Sequence, residues 1–305
     1  MNISYIANKE IDKVKWDNCI ANSHNGIIYT YSWYLDIVSP NWDALINNDY
    51  SIVFPLTCKK KYGIQYLYQP IFSQQLGIFS KEPLTEEIFN QFLKSIPDKF
   101  KFIEINLNIH NYIKSLEYEN IDRVTYQLNL HQTYENIRND YSENTVRNIK
   151  KTEKNNIIIK CNNRNIDQLV DFFINTTLKY DKNITKKDYN ILNQLVLKII
   201  EKNIGQFYSA FTNDNILCAC IFFVNSNNKS IYLFSSADEY AKKHGIMHKL
   251  IDTYIKSNSN KNIILDFEGS NILSLARFYA SFGAKKYLYL HIKKNNLSKL
   301  ISWIK

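Results

Sequence analysis

No stretch of this chain approaches the ~18 consecutive apolar residues that a membrane-crossing helix needs. Its first residues, MNISYIANKEID, lack the basic start and apolar core of a secretory leader. These absences lead to the expectation of a cytoplasmic protein with no signal peptide and no integral membrane segment, peripheral membrane contact aside. The five cysteines (Cys19, Cys58, Cys161, Cys218, Cys220) are odd in number and contain no CxxC pair, which excludes a disulfide framework and a zinc knuckle and fits a reducing compartment. Proline is absent after residue 97, so the first third of the chain, with Pro40, Pro55, Pro70, Pro83 and Pro97, is the irregular part. His244 and His248 stand four apart, yet Gly245 occupies the place of the glutamate in an HExxH site and no third ligand is in view, so no metal is expected.

The chain has 305 residues, more than one hydrophobic core usually serves, and 45% of them are apolar, ample for two packed domains. Lys and Arg number 38 against 29 Asp and Glu, a formal charge of +9 and a pI near 9.0. Such a balance favours an anionic partner, a nucleotide, a tRNA or an acidic lipid surface, with a solvated lysine-rich surface as the alternative.

Periodicity orders the C-terminal half. Ile166, Leu169, Val170, Phe173, Ile174, Thr177 and Leu178 repeat at helical spacing, and Leu192, Leu195, Val196, Ile199 and Ile200 mark a second helix. The strands QFYSAFT, LCACIFFV and SIYLFSSA follow, separated by the polar turns NDN and NSNNK, which suits an antiparallel meander. Then come a helix with Met247, Leu250, Ile251, Tyr254 and Ile255 on one side, the strand NIILDF, a helix with Leu275, Phe278, Tyr279 and Phe282, and a last strand YLYLHI. The N-terminal half reads in a similar order, from a helix near Ile11 to Ala21 and the aromatic stretch YTYSWYLDIV through the strands SIVFPLT, QYLY, FKFIEINL and VTYQLNL. Element order alone therefore predicts two related α/β (α+β) domains, residues 1–130 and 131–305, each a mixed sheet flanked by helices.

The join is charged. Residues 134–154 read as a basic connector helix in which Arg147, Lys150, Lys151 and Lys154 fall at i, i+3, i+4 and i+7, hence on one face. Four cations on one face repel one another unless an anion or nearby carboxylates compensate, so the stripe is a candidate phosphate-binding surface, with a solvated face as the bland alternative.

Residues 265–284, LDFEGSNILSLARFYASFGA, carry the chemistry that the sequence offers. Acyl transfer to an amine needs a base for the nucleophile's proton, a donor for the developing oxyanion and an acid for the leaving group. Asp266 and Glu268, two apart in a strand, are expected on one face with Phe267 on the other, and either is a candidate base; a helix-capping carboxylate is the competing reading. Ser270 or Asn271 is the expected N-cap of the next helix. Tyr279 is the candidate acid, since a phenol stays neutral at pH 7 and can donate to a leaving group, against the alternative of a core tyrosine beside Phe278 and Phe282.

Taken together, the meander, the strand ending in DFEGS and the helix FYASFGA, with Tyr279 four residues before Gly283, resemble the GNAT acyltransferase fold. With two such halves and a connector of the RNIKKTEKN type, the chain more particularly resembles the Fem-type tandem-GNAT aminoacyltransferases, most clearly over residues 130 to 292. The resemblance implies two GNAT-like domains, an acyl-CoA or aminoacyl-tRNA donor, an amine acceptor such as a small molecule or a peptidoglycan precursor, and no metal. It places donor binding at the end of the SIYLFSSA strand (Ser235, Ser236) and in the loop after it. GNAT enzymes that use acyl-CoA carry (Gln/Arg)xxGx(Gly/Ala) there; this chain has Lys242, Lys243, His244, Gly245, Ile246 and Met247, which keeps one glycine and puts the usual pyrophosphate cradle in doubt. In the first half, Gln69, Gln74 and Gln75 of YQPIFSQQLGIFS are expected to fix a substrate by hydrogen bonds, or to stabilise a turn. The competing class is a GNAT-fold protein without catalysis that binds an anionic ligand or nucleic acid.

Overall fold

The computed structural model describes residues 1–162, 164–269 and 271–297. The chain divides into two compact units, one formed by residues 1–124 and 287–305 and the other by residues 125–286.

The first unit opens with β1 (Ile3–Ile6), α1 (Lys13–Asn22) and α2 (Ser32–Val38), continues through β2 (Asp43–Asn47), β3 (Ile52–Leu56), β4 (Cys58–Lys61), β5 (Ile64–Tyr68) and β6 (Phe79–Ser80), and then forms α3 (Glu86–Lys94) and β7 (Phe100–Asn106). Asp12 starts α1 by accepting the Val14 and Lys15 N–H groups, worth about 1 kcal/mol for such a cap. The aromatic stretch YTYSWYLDIV forms a 3-10 turn and α2. Strands β1, β2, β3 and β6 make one sheet. In the other, β5 runs parallel to β7 and antiparallel to β4. Leu67, Ile103 and Ile105 send their side chains to a core with Phe89, Phe92 and Leu93 of α3.

Strand β8 (Glu119–Asn129) carries the chain into the second unit. There follow α4 (Tyr134–Asn139), α5 (Glu143–Glu153), β9 (Ile158–Cys161), α6 (Ile166–Thr176), α7 (Lys186–Glu201), β10 (Gly205–Phe211), β11 (Leu217–Ser226), β12 (Lys229–Ala237), α8 (Glu239–His244), α9 (Ile246–Asn258), β13 (Ile264–Asp266) and α10 (Leu273–Ala280). The expected meander is β10, β11 and β12, antiparallel throughout, and β13 is parallel to β12. Asn227 and Asn228 close the β11–β12 hairpin with φ of 52° and 55°, the left-handed pair that a two-residue turn of this kind requires and that asparagine tolerates. Phe173 of α6 stacks on Phe234 at 4.4 Å on one side of the sheet. Tyr254 of α9 stacks on Phe223 at 3.6 Å on the other. The connector is two helices rather than one. Ser142 begins α5 by accepting the Thr145 N–H group.

After α10, Gly283 at φ +80° ends the helix, and a Cβ there would stand 2.7 Å from the Asp140 side chain. Glycine is thus required by both backbone angle and space. The last strand, β14 (Lys285–Asn295), returns to the first unit and pairs antiparallel with β7.

Candidate active site

Strand β13 ends at Asp266, and this carboxylate is turned inward rather than offered to solvent. It is 1% exposed. Oδ1 accepts the Thr125 hydroxyl at 2.6 Å and the Glu268 N–H at 2.9 Å, and Oδ2 accepts Gln127 Nε2 at 2.8 Å. Burial raises its pKa, opposed by those hydrogen bonds and by the nearby Lys229 ammonium. Lys229 is correspondingly pushed down by burial, with Asp266 opposing. The pair is a buried acid and a half-buried base on adjacent parallel strands, and three donors already occupy the carboxylate.

Glu268 does not share a face with Asp266 as the strand alternation predicts. The strand stops at Asp266 and the backbone turns left-handed at Glu268, φ +58°. Its carbonyl accepts the Tyr126 N–H at 3.4 Å, which holds that turn to β8. Asn271 is not the N-cap either: α10 starts at Leu273 with Ile272 before it, while Ser270 lies outside the described residues.

Phe267 is buried and stacks on Tyr279 with ring centroids 5.1 Å apart. Tyr279 is 8% exposed and has Tyr232 at 6.0 Å and Tyr126 at 6.4 Å around it. Burial first, then the negative charge of Glu268, raise its pKa far above the usual phenol range. Such a phenol remains a proton donor throughout the physiological range, beside a carboxylate that can accept one. The negative charge of Glu268 is thus felt at Tyr279. Alternation along β12 separates the two serines: Ser235 is half-buried, whereas Ser236, buried, lies 2.6 Å from the Thr177 hydroxyl on the α6 side. Tyr126, Tyr232 and Lys229 were not singled out by sequence reasoning. In VTYQLNL and SIYLFSSA their spacing is that of ordinary strand residues.

The basic residues gather in the same unit. Lys151 of α5 donates to the Lys243 carbonyl at 2.7 Å, and Thr152 donates to the His244 carbonyl at 2.9 Å, so α5 caps the carbonyl end of α8. Gly245 follows at φ +71°, and a Cβ on it would meet the Asn148 side chain at 2.8 Å. Lys242 is engaged by Glu239 at 2.7 Å on the surface. Arg147 donates to Asn144 at 2.7 Å. Along the outer face of α5 runs a groove of about 620 Å³ lined by Arg147, Lys150, Lys151 and Lys154 with Tyr141, Val146 and a single carboxylate, Glu143. Behind it, buried Asp252 of α9 accepts the Tyr134 hydroxyl at 2.7 Å and the Tyr141 hydroxyl at 3.3 Å, with Lys249 at 3.5 Å and Arg138 at 3.8 Å. This network ties both connector helices to α9.

Gln69, Gln74 and Gln75 lie in the first unit, where their amides hold the chain after β5 onto the end of β7. Gln69 accepts the Asn106 N–H at 2.9 Å, Gln75 accepts the Ile109 N–H at 3.1 Å, and Gln75 Nε2 donates to Gln74 at 2.8 Å. Among the described residues no three His, Cys, Asp or Glu side chains come together as a metal site would need.

No protein-family profile and no curated protein sequence matches the chain. Solved structures do. FemX superposes with a TM-score of 0.67 at 12% identity, over 95% of this chain and 97% of that one. L-PGS from Bacillus licheniformis gives 0.56 at 10% identity over 96% and 95%. The C-terminal domain of a putative lysylphosphatidylglycerol synthetase from Agrobacterium fabrum gives 0.57 at 7% identity over 94% and 92%. The architecture is thus an α/β tandem-GNAT fold. Within that class it is Fem-like, the arrangement the sequence resemblance implied.

Proposed function

We propose that the chain is an N-acyltransferase that moves an acyl or aminoacyl group from an anionic donor to an amine. The observation that carries this reading is a buried neutral phenol, Tyr279, that feels the charge of the Glu268 carboxylate two residues past β13. In the reaction the amine nitrogen attacks the acyl carbonyl, Glu268 takes the proton that the nitrogen sheds, and Tyr279 gives its proton to the leaving thiolate or ribose oxygen. The groove on α5 supplies the positive surface for donor phosphates. Acyl-CoA and aminoacyl-tRNA both fit that charge; the segment Lys242 to Met247, which keeps only Gly245 of the usual pyrophosphate cradle, favours the extended polyanion. A peptidoglycan-precursor amine is the acceptor that the Fem-like fold suggests, in a cytoplasmic setting.

Glu268→Gln and Tyr279→Phe test the reading together. Both are expected to keep the melting temperature, because the Tyr279 ring still stacks on Phe267, while turnover with an identified donor falls by about 100-fold or more. Full activity in Tyr279→Phe would return that residue to the core and move catalysis elsewhere. Lys150→Ala with Arg147→Ala is expected to weaken donor binding and flatten its salt dependence.

A further inference from the structure

In the first unit a polar cluster sits on the sheet face opposite the core. Asn106 of β7 lies across from His291 of β14, and Glu104 across from Lys293. Tyr68 of β5 flanks Glu104 on the other side. Alternation sends Ile103, Ile105 and Ile292 into the core and leaves Glu104, Asn106, Lys293 and Phe102 half-exposed.

The hydrogen bonds fix the state of the imidazole. Asn106 Nδ2 donates to the Gln74 carbonyl at 2.8 Å, so its Oδ1 is the atom facing His291 Nδ1, also at 2.8 Å. Nδ1 must therefore carry hydrogen. In the neutral ring Nε2 then holds a lone pair, and Nε2 stands 3.3 Å from Glu104 Oε1. Burial, with Arg123 and Lys293 adding to it, lowers the pKa of His291 against the raising effect of Glu104, so the neutral ring is the form at neutral pH. Two acceptors then face each other with no donor between them. A group carrying several N–H bonds resolves that contact.

A bare ammonium does not complete the site, because two cations stand beside it. Arg123 of β8 and Lys293 make no ion pair among the described residues; Lys293 lies 5.9 Å from the centre of the Phe102 ring. Acceptors flanked by uncompensated cations are the complement of a molecule that carries both charges. We propose that this face of the first unit binds a small zwitterion of the α-amino-acid type, its ammonium received by Glu104 and His291 Nε2 and its carboxylate by Arg123 and Lys293. The site is independent of the acyl-transfer reading, and its test measures binding alone.

The full-length chain, labelled at histidine and assigned through His291→Gln, is titrated by NMR at neutral pH with glycine and L-alanine, and in parallel with methylammonium and with acetate. The expected result is a saturable shift of the His291 ring signals by both amino acids, with each half-ligand at least tenfold weaker. Glu104→Gln and Arg123→Met, both at half-exposed positions, are each expected to weaken binding at least tenfold while thermal melts show the fold retained. The proposal is overturned when neither amino acid produces a saturable shift, or when acetate binds as tightly as they do, which marks an anion site only. It is equally overturned when the ring signals show a doubly protonated His291 at neutral pH, because Nε2 then already holds the proton it would accept from the ligand.

Discussion

Replacing Gly245 by alanine probes the junction of α8, α9 and α5 in one step. An alanine at φ +71° sits in the left-handed region, at a cost of about 1 kcal/mol. The new methyl would also stand 2.8 Å from the Asn148 side chain, which must move. Asn148 Nδ2 donates to the Asn144 carbonyl at 3.0 Å, and losing that bond adds roughly 1 kcal/mol. The sum, about 2 kcal/mol, corresponds to a fall in Tm of roughly 4–8 °C for a unit of this size. Far-UV circular dichroism during thermal and urea melts is the suitable readout, since the tryptophans among the described residues, Trp16, Trp33 and Trp42, belong to the first unit and their emission says little about the second. The double-mutant cycle separates the two contributions. With Asn148→Gly in the background, which removes the clashing Cβ as well as the amide, Gly245→Ala should cost only the backbone share, about 1 kcal/mol. An identical cost in both backgrounds would refute the steric argument, and a cost near zero would refute the left-handed assignment itself.

Two further outcomes follow from buried charge. His248, packed 4.9 Å from Phe278 and 5.8 Å from Phe282, has its pKa pushed down by burial to about 4. The unfolded chain takes up that proton near pH 6.5, so stability is full above this value and is lost as pH falls toward 4, by up to about 1.4 kcal/mol per unit; urea melts at pH 7 and pH 5 should show this slope in the native chain and not in His248→Leu, and equal slopes would rule the residue out as its source. Asp252→Asn keeps an oxygen for the two tyrosine hydroxyls but removes the negative charge shared by Arg138 and Lys249, and is expected to cost about 3 kcal/mol, near the low end for a broken buried pair because Lys249 keeps Glu153 at 2.7 Å; a loss under about 1 kcal/mol would show that the network does not hold α4 and α5 in place.

The β10 to β12 meander was legible because apolar runs of strand length are bounded by polar asparagine turns, and local chemistry fixes a hairpin. The order of elements around residues 265–284 was legible for the same reason. The direction of Glu268 was not. Its departure from strand geometry depends on pairing with Tyr126, more than 140 residues earlier, and a Glu-Gly pair announces only that some turn is near. YTYSWYLDIV gave no periodic signal that separates a short helix from a strand. Tyr279 and Glu268 were found through their neighbourhood in sequence, whereas Tyr126 and Tyr232 reach Tyr279 through the sheet, and no spacing rule reports a contact across strands. The basic stripe was read as one helix; Ser142, an N-cap inside the connector, is the residue that divides it.

The return of β14 to the first unit bears on the order of events during synthesis. The residues that pair with β7, His291 to Asn295, are made after residues 125–286, the whole of the second unit. Until then β7 presents an open hydrogen-bonding edge on the side that β14 will fill, and the core around Leu67 and Ile105 lacks Leu290 and Ile292. The second unit, residues 125–286, is contiguous in sequence. The first unit is therefore completed only after the second has been made, and its earlier segment must stay clear of other strand edges while residues 125–286 fold.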